Sequence, residues 1–125
     1  MTNSKHTVVA VMEDLMFMVR IQEAAKRSGL ETVVVKTKAD ALKKAEQQPV
    51  LIVMDLNYRA GEPLELIKEL KAAEATSSIH LLAFVSHVQT ELRAAAVAEG
   101  CDTVLARSAF VQNLPDLLNH LANLP

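Results

Sequence analysis

Apolar runs and stretches of helix-spaced apolar residues alternate five times along the chain. TVVAVM (7–12) is β-branched and nearly free of polar residues, which predicts a buried strand. Leu15, Met18, Val19, Gln22 and Ala25 then recur at helical spacing over 14–28, with Gly29 as the stop. TVVVK (32–36) predicts a second strand, and ADALKKAEQQ (39–48) a short helix ended by Pro49. VLIVMD (50–55) is the third strand and, by composition, the most central. The polar loop NYRAG (57–61) follows, then a helix starting near Glu62, with Pro63 in its first turn and Leu64, Ile67, Leu70 and Lys71 along it. HLLAFV (80–85) is strand four, 88–99 an Ala-rich helix ending at Gly100, and DTVLA (102–106) strand five. Leu114, Leu117, Leu118 and Leu121 mark a closing helix, with Pro115 placed in its first turn.

Strands that are apolar on both faces and alternate with helices predict an α/β fold with a parallel sheet covered on both sides. Right-handed crossovers make it a doubly wound, five-stranded sheet of (βα)5 form in three layers. Such sheets place their sites at the carboxyl ends of the strands, near a switch in strand order. Those ends carry Glu13 and Asp14, then Asp55, then Val85 and Ser86, then Arg107.

Bulk composition narrows the function classes. The 125 residues are read as one domain, 1–125, and the 50% hydrophobic content can form a sizeable core. A net charge of -2, with both signs interspersed, gives no field toward nucleic acid or anionic membrane. The single cysteine, Cys101, excludes an internal disulfide framework and points to the cytosol. No secretory leader is read in MTNSKH, and no stretch approaches membrane-span length. His6, His80, His87 and His120 are scattered without ligand spacing. His87 lies at the site edge, where it either contacts an anion or is a solvated loop residue. Cys101 reads as a small buried residue rather than a reactive thiol.

Asp55 ends an apolar run, LIVMDLN. The plain reading is a loop cap that accepts backbone N–H bonds. The chemical reading needs company: acids to hold a hard divalent ion, and a cation and a hydroxyl to hold the oxygens of a transferred phosphoryl group. Glu13 and Asp14 supply the acids, Arg107 the cation and Ser86 the hydroxyl.

The alternation, the acids after TVVAVM, LIVMDLN, AEGCDTVLAR and the Leu-rich closing helix together resemble the receiver domain of bacterial response regulators, over about residues 6–123. The resemblance implies a flavodoxin-like fold, a cytoplasmic place in two-component (phosphorelay) signalling and no enzymatic role of its own. It implies a histidine kinase or phosphotransfer protein as donor and Mg²⁺ as cofactor. It also implies a downstream protein partner at the face of helix four, strand five and helix five, and no direct nucleic-acid or membrane contact.

Carried over residue by residue, Asp55 matches the phosphoacceptor and Glu13 the second acidic position. The first acidic position is Met12, which cannot ligate Mg²⁺ and weakens the site; Asp14 stands one step out of register. Asn57 falls where the family offers a backbone carbonyl to the metal. Val85 takes the Thr/Ser position, with Ser86 next to it; Arg107 replaces the signature Lys, Ser108 the Pro after it, Val104 the aromatic switch residue and Arg59 the loop Pro. Arg keeps the charge of Lys without its shape. Apolar contact candidates on the implied partner face are Val88, Leu92, Phe110, Val111 and Leu118. Three functions follow: an atypical receiver, a phosphorylation-independent binding module, and a flavodoxin-like cofactor carrier. MEDLMF, acidic and bulky, disfavours the last because it would repel a flavin phosphate.

Overall fold

The computed structural model describes residues 6–86 and 90–123. The chain runs β1 (Thr7–Val11), α1 (Leu15–Arg27), β2 (Glu31–Val35), α2 (Lys38–Ala45), β3 (Leu51–Asp55) and a single 3-10 turn (Arg59–Gly61). It continues with α3 (Pro63–Ala72), β4 (His80–Val85), α4 (Thr90–Ala98), β5 (Thr103–Ala106) and α5 (Arg107–Ala122). All strand pairs are parallel, in the order β2-β1-β3-β4-β5. This is the expected doubly wound, flavodoxin-like sheet, and its strand order reverses between β1 and β3.

Two-residue periodicity divides each strand between two cores. Val9, Val11, Ile52, Met54, Leu81 and Ala83 face α2, α3 and α4, where Ala41, Leu66, Ile67 and Ala96 meet them. Val8, Ala10, Met12, Leu51, Val53 and Phe84 face α1 and α5, where Phe17, Ile21, Phe110, Leu114 and Leu118 meet them. The strands are buried on both sides, and this is why their sequences read as unbroken apolar runs.

The helices depart from the sequence expectation in three places. The buried face of α1 is Phe17, Ile21, Ala24 and Ala25, whereas Leu15 and Val19 are 72% and 44% exposed. Of the expected stripe, Ala25 is buried and Met18 packs against the core, whereas Leu15 and Val19 do not, because α1 has apolar residues on more than one face. The second helix stops at Ala45, with Gln48 in the left-handed region (φ 60) before Pro49. A residue before proline is pushed out of the helical region, so the stop falls earlier than the apolar pattern suggests. Pro115 lies inside α5, not in its first turn, since the helix begins at Arg107 directly off β5. Val88 and His87 lie outside the described residues, as does the start expected for the fourth helix.

Candidate functional site

The carboxyl edge of the sheet gathers Asp14, Asp55, Asn57, Ser86 and Arg107 through the ends of four strands. Register sets Asp55 beside Phe84, on the sheet face that carries Met12 and looks toward α1 and α5. Asp55 is 8% exposed, one of two buried polar side chains among the described residues. Its Oδ1 accepts the Asn57 N–H at 2.8 Å, the turn geometry expected of a strand-end Asp. Burial raises its pKa above the ordinary carboxylate value; the Asn57 N–H and the Arg107 charge pull it back, and Asp14 adds to the rise.

Asp14 caps α1: its Oδ1 accepts the Phe17 N–H at 3.1 Å. Its Oδ2 accepts Arg107 Nη2 at 3.3 Å, a half-exposed ion pair. Arg107 is the first residue of α5, and its guanidinium carbon stands 4.3 Å from the Phe17 ring centroid. That contact gives the cation a fixed seat. Phe17, Phe84 and Phe110 stack beneath it with centroids 4.8 to 5.9 Å apart. These are all the phenylalanines of the chain, drawn from α1, β4 and α5 into one floor under the acidic cleft.

Asn57 and Ser86 form a clasp on the other flank. The Ser86 N–H and Oγ donate to Asn57 Oδ1 at 2.9 and 3.0 Å, joining the loop after β3 to the end of β4. Gly61 lets the rest of that loop fold back: a Cβ there would stand 2.9 Å from Val11 Cγ1. The sequence placed Asn57 here for its backbone carbonyl; its side-chain role went unseen, as did the Phe floor. Parity along β3 and β4 would have put Phe84 on the Asp55 side, but nothing in the sequence aims an amide at Ser86.

The structure brings Asp55, Asp14 and Arg107 together and keeps Ser86 engaged with Asn57. Glu13 is exposed; Tyr58, whose phenol pKa is raised first by burial and then by the Glu13 charge, is the group that feels it. Met12 is fully buried in the Phe-lined core. Among the described residues no three His, Cys, Asp or Glu side chains converge as a metal cage. Asp14 accepts the Phe17 N–H through one oxygen and Arg107 Nη2 through the other, so a Mg²⁺ ion here would compete with the guanidinium for this carboxylate.

The proposed partner face also changes. Phe110 and Leu118 are buried, Leu92 and Val111 pack against the cores, and Val88 is outside the described residues. Among the described residues, the large apolar side chains left in solvent are Leu15, Met16 and Val19 on α1 and Val97 on α4. Cys101 is buried as expected, its thiol pushed up to about 11 by burial. No helix among the described residues is long and apolar enough to cross a membrane.

No family model and no curated protein sequence matches the chain. Solved structures do match. A putative response regulator from Chloroflexus aurantiacus superposes with a TM-score of 0.80 at 17% identity, covering 94% of this chain and 97% of that one. The receiver domain of the sensor histidine kinase PA1611 from Pseudomonas aeruginosa, solved with magnesium in its active-site cleft, gives 0.79 at 18% identity, over 95% and 98%. The phosphorylated cyanobacterial phytochrome response regulator RcpA gives 0.78 at 19% identity, over 93% and 90%. The chain thus has the fold of response-regulator receiver domains.

Proposed function

We propose that this chain is an atypical receiver domain of two-component phosphorelay signalling, with Asp55 at the phosphoacceptor position. The observation that carries the reading is the placement of Asp55. It is a buried carboxylate at the carboxyl end of the central strand, beside the strand-order switch of a receiver fold. Its donor would be a histidine kinase or a phosphotransfer protein. With Oδ1 on the Asn57 N–H, the other carboxylate oxygen attacks phosphorus. The bond from phosphorus to the donor histidine nitrogen breaks, and the nitrogen keeps the electron pair. The domain is then a switch rather than an enzyme. Incubation with acetyl phosphate, read by intact mass, tests this. The wild type should gain one phosphoryl group and Asp55→Asn none; an unlabelled wild type, or a labelled variant, counts against it.

One set of contacts favours a second reading, a phosphorylation-independent interaction module. Arg107 is bound to Asp14 and Ser86 to Asn57, while Val85 and Val104 are buried where the family has its Thr and aromatic switch residues. On this reading partner binding is the same in wild type and Asp55→Ala. A loss of binding in the variant excludes it.

A further inference from the structure

We infer that Arg107 is the resident cation of the Asp55 cleft and that the cleft works without a divalent metal ion. The inference rests on the receiver reading of Asp55 and concerns how that site balances its charge.

A hard divalent ion needs several free oxygen donors converging on one point. Here Glu13 is exposed, and the carboxylates of the cleft itself already have partners within the protein. Met12 sits fully buried in the core beside Phe17 and Phe84 and has no oxygen to offer. Asp14 spends one oxygen on the Phe17 N–H and the other on Arg107 Nη2. Asp55 spends one on the Asn57 N–H. A metal entering the cleft would compete with the guanidinium for the Asp14 carboxylate.

The guanidinium is not a loose surface charge. Its stem starts at the first residue of α5 and its central carbon stands over the Phe17 ring at 4.3 Å, with the Phe84 ring centroid at 5.9 Å. It brings a planar positive charge to the cleft. Its Nε is buried and has no hydrogen-bond partner among the described residues, so the group still has an unused donor. A planar fork with a donor to spare suits an oxyanion at Asp55 and opposes a second cation. The ligand class that follows is a phosphoryl-type oxyanion bound without metal.

The test is Mn²⁺ titration followed by paramagnetic broadening of the Asp14, Asp55 and Asn57 amides. The wild type should show no saturable broadening there. Arg107→Ala should show it at concentrations at least about tenfold lower than any effect on the wild type, since a unit charge has left the carboxylates. Arg107→Gln removes the charge but keeps a polar side chain; it should gain Mn²⁺ binding as Arg107→Ala does. Saturable broadening in the wild type, or no gain in the Gln variant, overturns the inference. Acetyl phosphate labelling is read separately. A chain that is labelled at Asp55 and also binds Mn²⁺ keeps the receiver reading and loses this inference. A chain that does neither loses the reading and keeps the metal-free cleft.

Discussion

Among the described residues, Lys71–Asp102 at one end of the sheet and Arg107–Asp14 at the other are built in opposite ways. At the amino end of β4 and β5, Lys71 Nζ donates to Ser77 O at 2.9 Å, Ile79 O at 3.1 Å and Asp102 Oδ2 at 2.9 Å. Asp102 Oδ2 also accepts the Leu81 N–H at 2.8 Å, and His80 Nε2 bonds Thr103 Oγ1 at 3.0 Å. All three Lys71 donors are used, and the clamp closes a loop onto two strands. At the carboxyl end, Arg107 reaches Asp14 through one contact at 3.3 Å and keeps a buried Nε–H unpaired. Asp55 beside it is held in a burial that raises its pKa. One end satisfies its polar groups and stabilises the fold; the other leaves charge partly unanswered. Sites that must bind or react are drawn from such under-satisfied places.

Lys71→Met should break the stabilising end, costing about 2 to 3 kcal/mol, because two carbonyls and a carboxylate lose their donor. Urea unfolding measures it. Burial alone would raise the Asp102 pKa, but the Lys71 and Leu81 bonds hold it below the ordinary 3.8. Asp102 therefore contributes stability above pH 3.8 that is lost as pH falls through its lowered value. The gap between Lys71→Met and wild type should accordingly narrow in acid, and a gap that widens would show that the pair is not the clamp.

Gly100 sharpens the same end. It sits at φ 106, and a Cβ there would stand 3.0 Å from Lys71 Cγ. Gly100→Ala should cost about 1 to 2 kcal/mol from backbone strain and from pushing Lys71 off its acceptors. A neutral result by thermal unfolding would mean the loop shifts freely. At the other end Arg107→Ala should cost no more than about 1 kcal/mol, since a half-exposed pair and one ring contact contribute little. An effect as large as that of Lys71→Met would erase the contrast between the ends.

The strands were legible because burial on both faces leaves no polar interruption, and TVVAV, LIVMD and HLLAFV each appear as strands in the structure. Handedness and the resemblance implied a doubly wound parallel sheet, while the order β2-β1-β3-β4-β5 itself came from the structure. Phase was harder to read. In α1 the apolar residues Leu15, Met16 and Val19 compete with Phe17 and Ile21 for the core face, and periodicity alone found only Met18 and Ala25 of that face. The start of α5 was hidden because Arg107 opens the helix with no capping side chain on Ala106. At the site, strand ends placed Asp55, Asp14 and Arg107 in one cleft. The pairings inside it depend on side-chain reach: Arg107 on Asp14, Ser86 on Asn57, and the Phe floor. A linear pattern carries no information about reach.

The claim that the carboxyl end gives up stability for a usable carboxylate turns on Asp55 itself. Its folded pKa lies above the ordinary 3.8, so the folded state holds its proton longer than the unfolded chain does. The resulting cost is absent below pH 3.8, grows as pH rises through the folded value, and is complete at neutral pH. The decisive measurement is the unfolding free energy of wild type and Asp55→Asn compared from neutral pH down to acid. Asp55→Asn should be the more stable by several tenths to about 1 kcal/mol at neutral pH, with the difference closing below pH 3.8. A variant that is less stable than wild type at neutral pH, or a gap that does not change with pH, would contradict the account.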